Sequence, residues 1–170
     1  MKKNHTTGLY NLSFVLNDQK ILFLERNKEP NRAKLNGLGG KLENQESASQ
    51  SMLRELKEEA GINAIKYRLA GLLRCSSTSP FSDYMIFCYL VTDFEGQILT
   101  ETSEGHLCWM KKSDITTKNR AIVDNIAYFL PKILDSPELL EMSFHYDYDK
   151  GICNFCGIQS TENWKGKYNF

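Results

Sequence analysis

The feature that most constrains the fold of this chain is a glutamate-rich helix with clear start and stop signals. Ser47 and Gln50 have the spacing of a capping box, and Gly61 is a typical residue at the end of a helix. Apolar residues between them recur at helical spacing, so one face can pack against a sheet. The pattern therefore predicts an amphipathic helix over residues 48–60.

Three glutamates of this helix, Glu55, Glu58 and Glu59, share an arc of about 100° beside the apolar face. Like charges at these spacings each cost a few tenths of a kcal/mol when exposed, and more near the core. Two arrangements can offset that cost. The face can be solvated, with ion pairs to Arg54 and Lys57, or it can hold a divalent cation, since Mg²⁺ prefers hard oxygen ligands.

Apolar stretches on both sides of this helix have the length and composition of strands. The predicted strands cover residues 8–17, 20–26, 67–78, 84–93 and 105–111, with an edge strand over 139–149. Turns are predicted at Asn17–Asp18 and Ser79–Pro80, and a glycine-rich loop over residues 37–40 allows close backbone approach. A second helix is predicted over residues 119–135, with a kink or break at Pro131. This mixture indicates an α/β protein with a mixed sheet flanked by helices.

The chain length of 170 residues and the apolar content of 41% suit one domain with one sizeable core. We assign that domain to residues 1–149 and leave residues 150–170 as a C-terminal tail of unknown role. The 21 basic side chains balance the 21 acidic ones, without the basic excess typical of proteins that bind long nucleic acids. We therefore expect no DNA polymer as a partner, whereas a small anionic ligand held through a metal is compatible with neutrality.

Five cysteines, an odd number, argue against a complete set of internal disulfides. Cys75, Cys88 and Cys108 lie in apolar stretches and are predicted to be reduced, buried thiols. Cys153 and Cys156 form a CxxC pair, for which zinc binding and redox chemistry stay open as alternatives. The first ten residues lack the apolar core of a signal peptide, and the longest apolar run, MIFCYLV, is too short to span a membrane. We expect a cytoplasmic protein with no membrane partner.

The helix and the loop before it resemble the Nudix box, G-x5-E-x7-R-E-U-x-E-E-x-G-U, where U is a bulky aliphatic residue. The positions that match are Gly40, Glu46, Arg54, Glu55, Leu56, Glu58, Glu59, Gly61 and Ile62. The resemblance implies a Nudix α/β/α sandwich with a mixed sheet and a catalytic loop–helix–loop. It also implies an enzyme that hydrolyses a nucleoside diphosphate linked to another group, with Mg²⁺ as the cofactor and Mn²⁺ as a substitute.

The resemblance assigns roles to the charged residues of the box. The implied metal ligands are the carbonyl of Gly39 and the carboxylates of Glu55, Glu58, Glu59 and Glu104. The implied catalytic residues are Glu46, Arg54, Glu55 and Glu58. Arg54 would orient the carboxylates, its partner Glu46 would brace it, and one glutamate would position or deprotonate the attacking water. Such a site neutralises a polyphosphate and holds the attacking and leaving groups in line.

Further stretches resemble the MutT-type sanitising phosphatases, above all those that act on oxidised purine nucleoside triphosphates. These stretches are LNGLGGKLE, SEGHLCWMKKSDI and VDNIAYFLPKIL. By this resemblance the substrate-binding residues are Asn11, Arg26, Asn36, Asp124 and Asn125. An amide and a carboxyl can together recognise a purine edge through paired donors and acceptors. Ile122 and Leu35 stand where the resembled enzymes carry tryptophans.

The expected activity is Mg²⁺-dependent hydrolysis of a nucleoside triphosphate to the monophosphate and pyrophosphate, with oxidised purines such as 8-oxo-dGTP as substrates. One alternative is hydrolysis of another nucleoside diphosphate derivative or of a pterin triphosphate. Another is a nucleotide-sensing module without turnover. Three of the assigned site residues also have a purely structural explanation. Asn36 can be a turn residue, and Asp124 and Glu104 can be solvated surface charges. The protein is expected to act as a monomer or a homodimer on a small-molecule nucleotide.

Overall fold

The apolar stretches form a single mixed sheet with one helix on each face. The computed structural model describes residues 8–78, 83–147, 149–150 and 152–160. The strands are β1 (Gly8–Asn17), β2 (Lys20–Arg26), β3 (Leu35–Asn36), β4 (Asn63–Ser77), β5 (Tyr84–Glu95), β6 (Glu101–Thr102), β7 (Gly105–Lys111), β8 (Leu140–Asp147) and β9 (Ile152–Ser160). The α-helices are α1 (Ala48–Ala60) and α2 (Asp124–Asp135), and a short 3₁₀ turn covers Lys112–Asp114.

The sheet has the strand order β6-β7-β2-β1-β5-β4-β8-β9, with β3 paired to β2. Strands β1 and β5 are parallel, as are β4 and β8, and all other paired strands are antiparallel. In the central parallel pair, Val15 lies opposite Val91. The mixed sheet predicted from the sequence is therefore confirmed.

Alternate residues of the central strands supply the two cores, one on each face of the sheet. Within β2, Ile21 and Phe23 pack with Phe129 of α2, whereas Leu22 and its neighbour Leu24 belong to the core of α1. All of these side chains are buried. A strand buried on both faces has a continuous apolar sequence, as β2 does. The layers helix, sheet and helix confirm the predicted α/β/α sandwich.

Helix α1 begins and ends where the local signals predict. The Ser47 side chain accepts a hydrogen bond from the Gln50 main chain at 3.2 Å, and the Gln50 side chain accepts one from the Ser47 main chain at 2.8 Å. Gly61 has a φ of 74°, and its N–H donates to the carbonyls of Leu56 and Lys57. This left-handed conformation suits glycine. The ends of α1 thus follow from residues adjacent to it in sequence.

The second helix differs from its prediction at its start, and the alternative of a break at Pro131 is wrong, whereas a kink there stays a prediction. The helix begins at Asp124 instead of residue 119, because the preceding main chain pairs with β3: Leu35 N donates to Ala121 O at 2.7 Å and Val123 N donates to Leu35 O at 3.1 Å. The helix is not broken at Pro131, which lies inside it. Its buried apolar face, which includes Phe129, holds the helix against the sheet on both sides of the proline. Within the described part of the chain, no helix is long and apolar enough to cross a membrane.

The C-terminal region adds a strand for which the sequence analysis had no element. Strand β9 pairs antiparallel with β8, from Leu140 opposite Ser160 to Asp147 opposite Ile152. Strand β8, predicted as part of an edge strand over 139–149, is therefore internal, and β9 forms that edge. The domain boundary after residue 149 stays a prediction. The expected Ser79–Pro80 turn and the first seven residues lie outside the described residues.

Candidate active site

A glycine-rich loop lies between strand β1 and helix α1 and contacts both. Asn11 N donates to Gly40 O at 2.9 Å, and Ser13 exchanges two main-chain hydrogen bonds with Leu38. Gly39 has a φ of 142°, and a Cβ there would overlap Asn11. A Cβ on Gly40 would lie 2.5 Å from Glu55 Oε1. The two glycines therefore let the loop approach the strand on one side and the carboxylates of α1 on the other.

Arg54 is the centre of the charged cluster on α1. Its guanidinium donates twice to Glu46, at 2.7 Å from Nε to Oε1 and 3.1 Å from Nη2 to Oε2. The Nη1 atom donates to Glu55 Oε1 at 3.0 Å and to Glu58 Oε2 at 3.3 Å. The hydrogen bond from Arg54 lowers the pKa of Glu46 to about 2. The same hydrogen bond raises the pKa of Arg54 above its usual value, so both groups stay charged.

Glu59 differs from its neighbours because it is buried, with 6% of its surface exposed. Its Oε2 accepts a hydrogen bond from Gly39 N at 2.7 Å. Burial is the main cause that raises the pKa of Glu59 to about 7; the charges of Glu55 and Glu104 act in the same direction, and the hydrogen bond from Gly39 opposes them. Burial also raises the pKa of Glu55. Negative charge is therefore costly here unless a cation neutralises it.

The carboxylates of α1 suit a hard divalent cation by their chemistry. Glu55, Glu58 and Glu59 offer oxygen donors, and the Gly39 carbonyl belongs to the loop that contacts Glu59. In residues 8–78, 83–147, 149–150 and 152–160, no three His, Cys, Asp or Glu side chains converge on one point as a metal cluster. Glu55 and Glu58 turn toward Arg54 instead. The predicted metal ligands therefore stay predictions, and the donor set fits Mg²⁺ or Mn²⁺.

Glu104 lies between β6 and β7 and forms ion pairs with two cations. Its Oε1 is 2.8 Å from Lys28 Nζ, and its Oε2 is 3.9 Å from Arg26 Nη2. Arg26 also donates from Nε to the Pro30 carbonyl at 2.9 Å. The charge of Glu104 is near enough to act on the pKa of Glu59. Its predicted role as a metal ligand is untested, and it lies beside the other candidates.

One cleft of about 1560 Å³ contains almost all of the predicted site residues. Its lining includes Asn11, Arg26, Asn36, Gly39, Glu46, Glu55, Glu58, Glu59, Glu104, Asp124 and Asn125. Arg54 lies behind the carboxylates that it contacts. The fold therefore brings the candidates for metal binding, catalysis and substrate binding together, although they come from β1, β2, β3, α1, α2 and the connecting loops.

The candidates for base recognition lie on two segments that pair with each other. Asn36 follows Leu35, which forms a parallel bridge with Ile122 just before α2. Asn36 Oδ1 accepts a hydrogen bond from Gly37 N at 3.0 Å, and Asp124 Oδ1 lies 3.2 Å from Lys34 Nζ. Leu35 and Ile122 are buried in the α2 core. They therefore fill space in the core, where the resembled enzymes carry tryptophans.

Several cleft residues were not found by sequence reasoning. Lys34 and Lys41 add positive charge to the lining, and Tyr146, Asp147 and Cys153 add a wall from β8 and β9. The C-terminal residues could not be found because β9 had no recognised pattern. The two lysines carry no distinguishing motif. Cys75 and Cys88 are free, buried thiols, as predicted. Cys108 is also a free thiol, but the prediction that it is buried is wrong, because it is only half-buried.

Comparison with known proteins identifies the family. The model of the NUDIX domain matches residues 11–133. An uncharacterized Nudix hydrolase of Bacillus subtilis (strain 168), YvcI, is 30% identical over 132 residues, which are 76% of this chain and 80% of the relative. The crystal structure of a MutT protein from Bacillus halodurans has a TM-score of 0.76 and 25% identity, covering 91% of this chain and 98% of that one.

A MutT protein from Methanosarcina mazei Go1 has the same fold, with a TM-score of 0.65 and 17% identity over 76% of this chain and 94% of that one. The chain therefore belongs to the Nudix family of hydrolases, which act on phosphoric anhydride bonds. Members of this family generally use divalent metal ions such as Mg²⁺ and act on small nucleotide substrates. The predicted family, fold and enzyme class are confirmed.

Proposed function

We propose that this chain is a Mg²⁺-dependent nucleoside triphosphate pyrophosphohydrolase that acts on oxidised purine nucleotides such as 8-oxo-dGTP. The observation that carries the proposal is the cleft itself. Crowded carboxylates of α1 line it together with an amide and a carboxylate, Asn36 and Asp124, from two adjoining segments. The first group suits a polyphosphate held through a metal, and the second suits a base with both donors and acceptors.

In this proposal Glu55, Glu58 and Glu59 hold Mg²⁺, with the Gly39 carbonyl as a further ligand. The metal supplies charge neutralisation for the polyphosphate and a lowered pKa for bound water. Arg54 keeps the carboxylates of Glu55 and Glu58 oriented, since it contacts both at 3.0 and 3.3 Å. One glutamate accepts a proton from the attacking water. The water oxygen bonds to phosphorus while the bridging P–O bond breaks and pyrophosphate leaves with the bonding electrons.

Cationic side chains in the cleft can balance the remaining charge of a triphosphate. Arg26, Lys34 and Lys41 belong to its lining. Arg26 and Lys34 each lie beside an acidic partner, Glu104 and Asp124. Each of these pairs is locally neutral, and phosphate oxygens can replace the acidic partner of each cation. The neutral total charge of the chain is therefore compatible with an anionic substrate.

The hydrogen bond of Asn36 determines which atom of its side chain is left to contact the base. Its Oδ1 accepts from Gly37 N, so its amide nitrogen can donate to the ligand. Asp124, as a carboxylate, accepts. A base edge that suits this pair has a carbonyl next to an N–H. The major-groove edge of guanine has two acceptors, O6 and N7. Guanine carries this pattern only on its Watson–Crick edge, where O6 lies beside N1–H, whereas oxidation at C8 places a hydrogen on N7 and adds the pattern to the major-groove edge. A preference for 8-oxo-dGTP over dGTP therefore requires that the base present its major-groove edge to Asn36 and Asp124.

The test is pyrophosphate release with Mg²⁺ across a panel of substrates. The panel contains 8-oxo-dGTP, dGTP, 2-hydroxy-dATP, dihydroneopterin triphosphate, ADP-ribose and a nucleotide sugar. We expect kcat/KM for 8-oxo-dGTP to exceed that for dGTP by at least about tenfold, the contribution of one well-made polar contact. A flat profile, or a best substrate that is not a triphosphate, would refute the sanitising role but would still support a Nudix hydrolase. Nucleotide binding without turnover would favour the sensing module.

Matched variants test the two base-recognising residues. Asn36→Ala and Asp124→Asn should each reduce the preference for 8-oxo-dGTP, while turnover of dGTP changes little. Asp135→Asn is the control, because it makes the same change at the other end of α2. If Asp124→Asn and the control behave alike, Asp124 does not contact the base. A cytoplasmic location and the choice between monomer and homodimer stay predictions.

A further inference from the structure

One buried side chain connects three parts of the candidate active site. Asn11 of β1 is 2% exposed, and its Nδ2 donates to Ser51 Oγ of α1 at 2.8 Å and to Gly40 O at 3.4 Å. Its main-chain N also donates to Gly40 O. Within the described residues, Asn11 Oδ1 is buried without a hydrogen-bond partner. Strand, glycine loop and helix therefore meet at this residue.

The unpartnered oxygen of Asn11 lies against the loop. A Cβ on Gly39 would be 2.6 Å from Asn11 Oδ1, so the carboxamide packs closely on Gly39. A buried acceptor without a partner is costly, and such groups call for an explanation. The other end of the carboxamide is fixed by its bonds to Ser51 and Gly40. The acceptor stays unpaired because the donor end of the same group fixes where the carboxamide lies.

Ser51 extends this connection to the guanidinium at the centre of the charged cluster. Ser51 is completely buried, and its Oγ accepts from Asn11 Nδ2 and from Arg54 Nη2, the latter at 3.3 Å. A side-chain hydrogen bond also joins Ser51 to Glu46 and contributes to the low pKa of that carboxylate. A serine hydroxyl has one donor and two acceptor sites. All three are in use, so Ser51 fixes Arg54 and Glu46 with respect to β1.

We propose that Asn11 and Ser51 are positioning residues for the metal site. They hold the Gly39–Gly40 loop at a fixed distance from Arg54, so that the loop carbonyl and the carboxylates of α1 can share one cation. This inference rests on metal-assisted hydrolysis at this cleft and does not depend on which nucleotide is bound. This positioning role replaces the direct substrate contact expected for Asn11, because both polar ends of the Asn11 side chain point into the protein.

The test measures Mn²⁺ binding without nucleotide, from the electron paramagnetic resonance signal of free Mn²⁺ over the full-length chain. Asn11→Ala and Ser51→Ala should each weaken Mn²⁺ binding by about tenfold, as is typical when partners of metal ligands are removed. The double variant should bind about as well as Ser51→Ala alone, because Ser51→Ala already breaks the connection that Asn11→Ala removes. Ser49→Ala is the control: it lies on the same helix, and its hydroxyl contacts Tyr89 instead.

Kinetics with Mg²⁺ supply a second readout. Both variants should lower kcat and raise the Mg²⁺ concentration for half-maximal activity, while KM for the nucleotide stays near the wild-type value. Melting curves will establish whether each variant is folded at the assay temperature. If Ser51→Ala does not fold, Asn11→Thr makes the same test, since the shorter side chain does not reach Ser51.

Three results have distinct meanings. Wild-type Mn²⁺ affinity in folded Asn11→Ala and Ser51→Ala would overturn the proposal. A raised nucleotide KM in Asn11→Ala alone, with Ser51→Ala unchanged, would also overturn it and restore a substrate contact for Asn11. A wild-type chain that binds Mn²⁺ but hydrolyses no triphosphate would refute the proposed function alone, because the Mn²⁺ comparison needs no substrate.

Discussion

Glu59→Gln should stabilise the metal-free protein in a pH-dependent way. In the folded chain the pKa of Glu59 is raised from 4.5 to about 7, chiefly by burial. Each pKa unit corresponds to about 1.4 kcal/mol, so the charged carboxylate costs the fold about 3 kcal/mol. Glutamine cannot ionise, and its side-chain oxygen can still accept the hydrogen bond from Gly39 N.

The direction of the pH effect follows from the raised pKa. Below pH 4.5 the carboxyl is protonated in both the folded and the unfolded chain, and the cost is absent. Between pH 4.5 and 7 the unfolded chain releases its proton first, so the free energy of unfolding falls as the pH rises. Above pH 7 the full cost is present. The advantage of Glu59→Gln should therefore grow from near zero at pH 4.5 to about 3 kcal/mol at pH 8.

The assay is urea unfolding of both proteins in the presence of a chelator, between pH 4.5 and 8. Glu58→Gln is the matched control, because it removes a charge from the same helix at a side chain that is 60% exposed. Adding Mg²⁺ should stabilise the wild type more than Glu59→Gln, since a ligand that binds only the folded state adds to its stability. Parallel unfolding free energies for the wild type and Glu59→Gln over the whole pH range would refute the reasoning.

Further predictions concern the catalytic loop and helix. Glu58→Gln should lower kcat by at least about 100-fold with the fold intact, because it removes a carboxylate ligand; wild-type turnover at saturating Mg²⁺ would remove Glu58 from the site. Gly39→Ala should abolish most turnover and weaken Mn²⁺ binding, because φ is 142° and Asn11 occupies the space of the new methyl group; unchanged affinity by titration would contradict this. Chelator should stop pyrophosphate release, and Mg²⁺ or Mn²⁺ should restore it; activity that persists in chelator would exclude a metal-dependent step.

The parts of the molecule that local chemistry determines were predictable from the sequence. The ends of α1 depend on Ser47, Gln50 and Gly61, which act within a few residues of one another. The glutamate spacing likewise identified the helix of the site. The start of α2 was missed because the main chain of Ala121 and Val123 pairs with Leu35, a partner far away in sequence. Propensity and periodicity carry no information on such pairings.

Strand β9 and the role of Ser51 were missed for a related reason. Strand β9 is an edge strand with several exposed residues, so its sequence lacks the apolar pattern of the central strands. Ser51 and Ser49 look equivalent in the sequence, and only the packing of β1 against α1 distinguishes them. Predicting either requires knowledge of which elements are neighbours in the folded chain.

One wall of the cleft comes from β8 and β9, which lie in a different part of the chain from the carboxylates of α1. Tyr146, Asp147 and Cys153 line the cleft, yet they follow residue 133, where the match to the family model ends. The carboxylates of α1 lie in a different and earlier segment. Substitutions in β8 and β9 can therefore reshape one side of the cleft without altering the residues of the Nudix box. This arrangement lets substrate preference diverge in evolution while the hydrolytic chemistry is retained.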